Sequence, residues 1–228
     1  MIIMSWKSIF AIAAAGATCL AQLPVQLKVV KGSPFSAQAV TQSTQELAEG
    51  NRIVHQTTAL IARDSDGRTR RENSSVVFIQ DPAAGLMYVL EPNARVARRM
   101  EVPQSETAQP LAAPGSVGAS DLKTESLGSQ LIEGFVAQGT RLTRMFPAGQ
   151  TGNERPLEIV SEAWYSDELQ TLLMSKNVDP RVGEITFKLT DIQRGEPSHA
   201  LFEVPGDYTI RDEPAALDPR SAEKPKNK

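Results

Sequence analysis

The sequence predicts a mainly β protein, a single domain built on a curved antiparallel sheet with one or two short helices. Runs rich in Val, Ile, Thr, Phe, Tyr and Trp alternate with short clusters of Asp, Pro, Gly and Ser, as strands and turns alternate in an antiparallel meander. The pattern is clearest over residues 157–208, in the three runs LEIVSEAWYS, QTLLMSKNVDPRVGEITFKLTDI and LFEVPGDYTI.

The composition bounds the class of protein. The 228 residues contain one cysteine, so a hydrophobic core rather than a disulfide framework must stabilise the fold. A chain of roughly 200 residues is long enough to bury such a core, and residues 22–211 are expected to form it as one unit. Lys and Arg number 24 against 27 Asp and Glu, a net charge of −3, which argues against a nucleic-acid ligand.

The N-terminus has the form of a secretory signal peptide over residues 1–21. Lys7 precedes an apolar run from Ser8 to Leu20, and small residues end at Ala21. The run is too short to cross a bilayer as a helix. We therefore expect an exported chain, periplasmic or secreted, after cleavage near Ala21, and Cys19 would be removed with the signal peptide. The alternative is a lipid-modified Cys19, for which the preceding GAT is a poor lipobox.

The first predicted element is a hairpin. Residues 35–45 and the run RIVHQTTALIAR form its strands, and Gly50 and Asn51 join them. The Asp-Gly pair that ends residues 64–67 suits the tight turn that follows. Asp64 and Asp66 alternate as calcium ligands would, but the third oxygen ligand and the distal Glu of a calcium loop are missing.

Further strands are predicted on both sides of a loop. Residues 68–80 (RTRRENSSVVFIQ) are predicted to be one strand, followed by the turn DPAAG and the strand LMYVLEP. The run SQLIEGFVAQGTRLTRMF is predicted to be one long or bent strand, interrupted at Gly134 and Gly139. Glycine at these positions permits a bulge or a close backbone approach.

Two segments are too poor in large apolar residues to be packed into a core. Residues 101–125 combine Pro and Gly with Ser, Ala, Gln and Thr, which predicts a mobile surface loop, with a lid as the alternative. Residues 212–228 contain three prolines and a run of lysines, which predicts a disordered tail.

Motifs that carry chemistry are scarce. The sequence after the signal peptide has no cysteine, no G-x-S-x-G elbow, no Gly-rich phosphate loop and no H-E-x-x-H pair. The two histidines are His55, in mid-strand and interpreted as structural, and His199, in a turn and interpreted as solvated. Two distant histidines do not make a zinc site. No catalytic residue, metal site or cofactor is therefore predicted.

A hydrolase built on paired carboxylates is the enzymatic alternative. Glu158 with Glu162, or Asp179 with Glu184, would have to face each other as the carboxylates of glycosidases do. That chemistry also requires one carboxyl group whose pKa is raised by apolar burial. The sequence shows no such group.

Five large side chains are candidates for lining a ligand groove on the sheet, with an ordinary structural core as the competing interpretation. Trp164 and Tyr165 are adjacent in a strand and face opposite sides of it, so one surface can use only one of them. The candidate ligand-lining residues are Phe78, Tyr88, Leu142, Phe146 and Trp164.

Arginines gather in two clusters. If the strands pair in sequence order, the two clusters form one basic rim that contacts anionic lipid headgroups or an acidic partner. The alternative is a set of charged edge positions that protects strands from aggregation. The residues of the predicted rim are Arg68, Arg70, Arg71, Arg95, Arg98 and Arg99.

Residues 35–208 contain a Trp-bearing strand EAWY, a turn DPRVGE and a closing LFEVP. In these motifs the chain resembles the LolA/LolB-like superfamily and, more closely, uncharacterised secreted bacterial proteins that share its sheet. A long N-terminal helix and a helical lid are not evident. The resemblance implies an unclosed β-barrel of the bacterial envelope that holds an acyl chain or a lipoprotein segment against a concave apolar face.

These observations predict an exported, non-catalytic protein that binds a lipid or an acylated segment in the concavity of its sheet. The basic rim would orient the ligand and allow peripheral contact with a membrane. The alternative is an envelope regulatory or sensor module that binds a protein partner.

Overall fold

The computed structural model of the chain describes residues 29–102 and 122–213. The strands of these ranges are β1 (Phe35–Glu46), β2 (Arg52–Arg63), β3 (Thr69–Glu72), β4 (Val77–Asp81), β5 (Leu86–Glu91), β6 (Val96–Glu101), β7 (Leu122–Ile132), β8 (Phe135–Phe146), β9 (Leu157–Ser166), β10 (Thr171–Asp179), β11 (Gly183–Arg194) and β12 (Thr209–Asp212). Two 3-10 helices accompany them, η1 (Ala48–Gly50) and η2 (His199–Phe202).

No helix of the described ranges has the length and apolar composition to cross a membrane. The predicted signal peptide with Cys19, residues 103–121 of the predicted loop and residues 214–228 of the predicted tail lie outside these ranges.

The described strands form one curved, unclosed sheet in the order β12-β6-β5-β4-β3-β2-β1-β11-β10-β9-β8-β7. The predicted fold class is therefore confirmed. From β1 to β6 and from β7 to β11, each strand pairs antiparallel with the next one in sequence, and β1 joins the two halves by pairing with both β2 and β11. The pairing of β12 with β6 is parallel.

The prediction of a single strand over residues 68–80 is wrong, because this segment is a hairpin of β3 and β4. The turn between them is made by Asn73, whose side-chain Oδ1 accepts hydrogen bonds from the backbone N–H groups of Ser75 and Val76 at 3.0 and 2.9 Å. An Asn side chain that bonds to the backbone ahead of it reverses the chain without Gly or Pro.

The run from Ser129 to Phe146 is also a hairpin rather than one bent strand. Glu133 and Gly134 both have positive φ angles, 50° and 82°, as the two central residues of a tight hairpin turn require. Residues before this turn belong to β7 and those after it to β8. At Gly139 the neighbour is not backbone, as predicted, but the side-chain ring of Trp164, which covers this residue.

Three boundaries differ from the sequence-based prediction. Strand β6 was not predicted, and Leu122–Glu125 at the end of the predicted loop belong to β7. The run LFEVPGDYTI is not a single strand, because η2 and a turn occupy its first eight residues and β12 begins at Thr209. Strand β12 includes Asp212, the first residue of the predicted tail.

Two buried apolar clusters lie on opposite faces of the sheet. Ile61 and Ala62 are consecutive in β2 and therefore point to opposite faces, and they pack into different clusters. The Phe35 cluster consists of Phe35, Ala37, Ala39, Ile132, Phe135, Ala137, Leu169, Leu173 and Leu189. The Phe202 cluster consists of Ala62, Val77, Ile79, Leu90, Ala97 and Phe202, with η2 supplying the last of these.

The side chain of Arg63 connects β2 to the turn before β10. Its side chain starts on β2, lies 4.9 Å from the ring centroid of Phe35 on β1, and donates hydrogen bonds to the backbone oxygens of Ser33, Leu169 and Gln170. The last two belong to the turn before β10, which β1 and β11 separate from β2. A side chain can reach across two strands in this way only because the sheet curves. Burial lowers the pKa of this guanidinium.

Candidate functional site

A row of directly opposed residues crosses one face of the sheet from β2 to β12. Opposed residues of neighbouring strands share a face, so two apolar side chains in the middle of this row are flanked by arginines on both sides. The row consists of Ile61, Arg71, Phe78, Val89, Arg98 and Arg211.

Two methionines extend the apolar part of this row. Met87 and Met100 are opposed to each other and lie two residues from Val89 and Arg98 along their strands, so they share the same face. Phe78 is 39% exposed, and the other three apolar side chains are half-buried. We call Phe78, Met87, Val89 and Met100, with Arg71 and Arg98, the Phe78 strip.

The Phe202 cluster lies on the other face and does not cover this strip. Ile79 and Leu90 alternate with Phe78 and Val89 along β4 and β5, and they point towards η2. The row on that face contains Arg70, Ile79, Tyr88 and Arg99 in the same register. One face of β4 and β5 is therefore covered by the chain itself, while the other carries an open apolar surface.

The six arginines of the predicted rim are divided between the two faces, with Arg71 and Arg98 on the Phe78 strip and Arg70 and Arg99 behind it. Most of them are neutralised by carboxylates. The ion pairs join Arg68 to Asp64, Arg70 to Glu72, Arg95 to Asp207, Arg98 to Glu91 and Glu213, and Arg99 to Asp212.

Arg71 differs from the other five arginines. It is exposed, and within residues 29–102 and 122–213 it forms no ion pair, whereas each of the other five has at least one. Its guanidinium is thus the member of the predicted rim whose positive charge no described carboxylate offsets. An anion that approaches the strip meets this charge beside Phe78.

The five predicted ligand-lining residues do not come together on one surface. Tyr88 packs against the Phe202 cluster, on the face opposite Phe78. Leu142 and Phe146 lie on β8, which six strands separate from β4. Trp164 opposes Gly139 on the other face from Leu142 and packs against the Phe35 cluster. Phe78 is the member that lies on the open strip.

Sequence reasoning missed four residues of the strip and its row. Met87, Val89, Met100 and Arg211 share a face with Phe78 only through the register of β4, β5, β6 and β12. The alternation of Met87 and Val89 with Tyr88 and Leu90 was a readable signal, because both faces of LMYVLE are apolar. It indicates a strand with apolar side chains on both faces, one of which no element of the described residues covers.

Two grooves lie on the sheet, one lined by a mixture of charged and apolar side chains and a smaller one lined mainly by apolar groups. A groove of about 540 Å³ is lined by Lys123, Glu125, Arg141, Thr143, Met145, Glu158, Val160 and Glu162. A groove of about 280 Å³ beside η2 is lined by Ser36, Ala37, Gln38, Leu60, Ile61, Ala62, Arg70, Glu72, Asp191, Gln193 and Leu201. Ion pairs occupy the floors of both, Arg141 with Glu162 at 2.7 Å and Arg70 with Glu72 at 2.6 Å.

The carboxylate pairs of the enzymatic alternative are placed differently. Glu158 and Glu162 line one groove, but the second is bound to Arg141 through two hydrogen bonds of 2.9 and 2.7 Å. Glu184 is opposed to Val178 and shares its face, whereas Asp179 follows Val178 in β10 and is opposed to Gly183. Because consecutive residues of a strand face opposite sides, Asp179 and Glu184 point to opposite faces. Hydrogen bonds from Arg181 hold the pKa of Asp179 below its ordinary value, opposite to what a general acid needs.

The histidines do not converge either. His55 is exposed on β2, and His199 Nδ1 lies 3.0 Å from Glu203 Oε1 on the surface of η2. No group of three or more His, Cys, Asp or Glu side chains that could hold a metal ion occurs in the part of the chain that the structure describes.

No protein-family model and no curated protein matches the sequence. Solved structures match parts of it at low identity. A MucA/MucB complex from Pseudomonas aeruginosa matches with 14% identity and a TM-score of 0.45, over 78% of this chain and 58% of that one. An uncharacterised conserved protein from Thermus thermophilus matches with 11% identity and a TM-score of 0.44, over 78% and 90%. A LolA superfamily protein from Nitrosomonas europaea matches with 11% identity and a TM-score of 0.33, over 78% and 93%.

Proposed function

We propose that this chain is an exported, non-catalytic protein that binds an amphipathic anion, an acyl chain with a phosphate or carboxylate headgroup, on the Phe78 strip. The single observation that carries the proposal is the row in which Phe78 and Val89 lie between Arg71 and Arg98 on a face that no described element covers.

The apolar part of the strip supplies affinity. Neighbouring strands are about 4.8 Å apart, so the row from Arg71 to Arg98 spans about 14 Å. An acyl segment along this row buries Phe78 and Val89, and Met87 and Met100 adapt to its shape because the unbranched thioether side chain is flexible. Burial contributes about 25 cal/mol per Å² of apolar surface removed from water.

The arginines supply orientation. A guanidinium presents a planar fork of donors that matches a phosphate or a carboxylate. Arg71 has no ion pair within the described residues, and Arg98 is held by Glu91 and Glu213. A headgroup is therefore expected to bind at Arg71, with the acyl chain directed towards β6.

The location of the protein forms part of the proposal. A signal peptide that ends near Ala21 would deliver the chain to the periplasm or the exterior, where envelope lipids and acylated proteins are its accessible ligands. N-terminal sequencing of the protein from the envelope fraction tests this: a mature chain that begins near residue 22 supports export, and a chain that retains Met1 overturns it.

Binding is tested by flotation of the purified protein with vesicles. Phosphatidylglycerol vesicles should retain the protein and phosphatidylcholine vesicles should retain much less, because only the first carry net negative charge. A single-chain fatty acid and an N-palmitoylated peptide, titrated separately by intrinsic Trp fluorescence or calorimetry, distinguish a lipid ligand from an acylated protein segment.

Two substitutions locate the site. Phe78→Ser removes the exposed apolar anchor and Arg71→Glu reverses the free charge, and each should weaken binding by about tenfold or more. Leu131→Ser and Arg155→Glu are matched controls, since Leu131 is 71% exposed on β7 and Arg155 is exposed beyond β8. Equal loss in the controls, or wild-type binding in both strip variants, would overturn the proposal.

A further inference from the structure

The outer edge of β6 is occupied by a segment that is held by a short backbone ladder and by exposed ion pairs. Strand β12 pairs with β6 in parallel over four residues, from Thr209 opposite Val96 to Asp212 opposite Arg99. All four residues of β12 are exposed, and Ile210 is 49% exposed. Strand β12 thus adds almost nothing to either buried cluster. Its contacts with β6 are the backbone ladder and ion pairs.

The ion pairs follow one pattern, in which arginines of the β6 edge meet carboxylates of the β12 segment. Arg99 Nε lies 2.6 Å from Asp212 Oδ1, Arg98 Nη1 lies 3.3 Å from Glu213 Oε1, and Arg95 Nη1 lies 3.4 Å from Asp207 Oδ2. The hydrogen bond from Arg99 to Asp212 also raises the pKa of that guanidinium. Exposed pairs of this kind stabilise a contact only slightly.

The backbone ladder is short. The N–H of Thr209 donates to Arg95 O and the N–H of Glu213 donates to Arg99 O, each at 2.9 Å. Tyr208 and Val204, just before β12, pack against the Phe202 cluster, so the anchor of this segment precedes the strand. Strand β12 can therefore leave the β6 edge without uncovering the core.

We propose that the β6 edge is a docking site for an extended acidic segment of a protein partner, which adds as a strand in the place that β12 takes within the chain. An exposed strand edge offers main-chain donors and acceptors to any extended peptide. Charge complementarity selects the occupant, because Arg95, Arg98 and Arg99 line this edge as three positive charges within five residues. The carboxylates of Asp207, Asp212 and Glu213 show the spacing that a partner segment must present.

This docking site shares Arg98 with the proposed lipid site, but the two sites can be tested apart through Arg99 and Arg71. Arg99 shares its face with Tyr88 and lies behind the Phe78 strip. Arg99→Glu should consequently abolish peptide binding and leave vesicle binding unchanged, whereas Arg71→Glu should do the reverse. Either proposal can fail while the other stands.

The test uses the full chain and a fluorescein-labelled peptide of residues 207–213, DYTIRDE. The wild-type protein should bind it weakly, because β12 competes. Thr209→Pro removes the N–H that donates to Arg95 and should increase affinity for the peptide at least tenfold at low salt. Ile210→Pro is the matched control, since its N–H alternates with that of Thr209 and points away from β6.

Three further measurements complete the test. A peptide with Asn and Gln at the three acidic positions should bind at least tenfold more weakly to the Thr209→Pro protein, and Arg99→Glu in that background should remove binding of the acidic peptide. Amide exchange at Val96–Arg99 should increase in Thr209→Pro and decrease again when the peptide is added. Asp212→Asn with Glu213→Gln provides the same release of β12 if Thr209→Pro fails to fold.

The proposal would be overturned if release of β12 gave no gain in affinity for the acidic peptide. It would also be overturned if the neutral peptide gained affinity equally, or if Ile210→Pro gave the same gain as Thr209→Pro. Dimers of the Thr209→Pro protein in light scattering would overturn it as well, because they would assign the edge to β12 of a second copy of the chain.

Discussion

The indole of Trp164 lies directly over Gly139, the residue opposite it on the neighbouring strand. A Cβ atom placed on Gly139 would lie 2.5 Å from Cζ3 of Trp164 and 2.6 Å from its Cη2, closer than carbon atoms can approach. Because Gly139 on β8 has no side chain beyond hydrogen, the ring of Trp164 on β9 can lie against the sheet and reach the Phe35 cluster.

Gly139→Ala is therefore expected to destabilise the fold by about 1–3 kcal/mol, because the ring must move out of its packed position. Urea unfolding followed by Trp fluorescence measures the change. Combination with Trp164→Leu should recover part of the loss, since the smaller side chain leaves room for the methyl group. Additive losses in this double-mutant cycle would show that the two residues are not coupled.

Arg63→Leu should destabilise the protein by about 2–4 kcal/mol, because backbone oxygens of Ser33 and Leu169 would lose their buried donor. Arg63→Lys should recover only part of this, since an ammonium cannot replace the planar fork. Arg52→Leu, at the exposed end of the same strand, is the matched control and should change the free energy of unfolding by less than about 0.5 kcal/mol. Thermal and urea unfolding of the three variants check the order.

Asp179 is expected to make stability depend on pH in the acid range. Its pKa is lowered in the folded protein by hydrogen bonds from Arg181, so its contribution is present above the unfolded value of about 3.9 and is lost as pH falls through the folded pKa. Asp179→Asn should cost about 1–3 kcal/mol at pH 7, and the difference from wild type should shrink below about pH 4.

Urea unfolding at pH 7, 5 and 3 measures this difference. Asp167→Asn serves as the control, because Asp167 is exposed in the turn before β10 and forms no ion pair within the described residues. If the difference in free energy of unfolding between wild type and Asp179→Asn stayed constant down to pH 3, it would contradict the assignment of the charge-assisted hydrogen bond to Arg181.

Gly183→Ala should be more harmful than Gly139→Ala. Its φ of +102° is one that residues with a side chain rarely adopt, and a Cβ atom would lie 2.2 Å from the backbone oxygen of Thr44. That oxygen belongs to β1, which pairs with β11, so the clash opens the junction between the two halves of the sheet. We expect a loss of about 3 kcal/mol or more, measured by urea unfolding with Gly206→Ala, which has open space around it, as the control.

Local features of the sequence determined the type of most elements. Alternation and β-branched residues indicated β1, β2, β5, β9, β10 and β11, and the turns at residues 64–67 and 81–85 follow from Asp, Pro and Gly. The hairpins at Asn73 and at Glu133–Gly134 were missed for different reasons. Asn73 reverses the chain through its side-chain oxygen, and a Glu-Gly pair is not a strong turn signal.

The sequence by itself determined the β architecture and showed few recognisable catalytic motifs, because period, turn chemistry and composition are local properties. Only the tertiary structure decided which face of each strand stays open. Ile79 and Phe78 are both large, apolar and adjacent, yet Phe202, more than 120 residues away, covers the first and leaves the second exposed. Alternation assigns residues to two faces, but long-range packing decides which face is buried and which can bind a ligand.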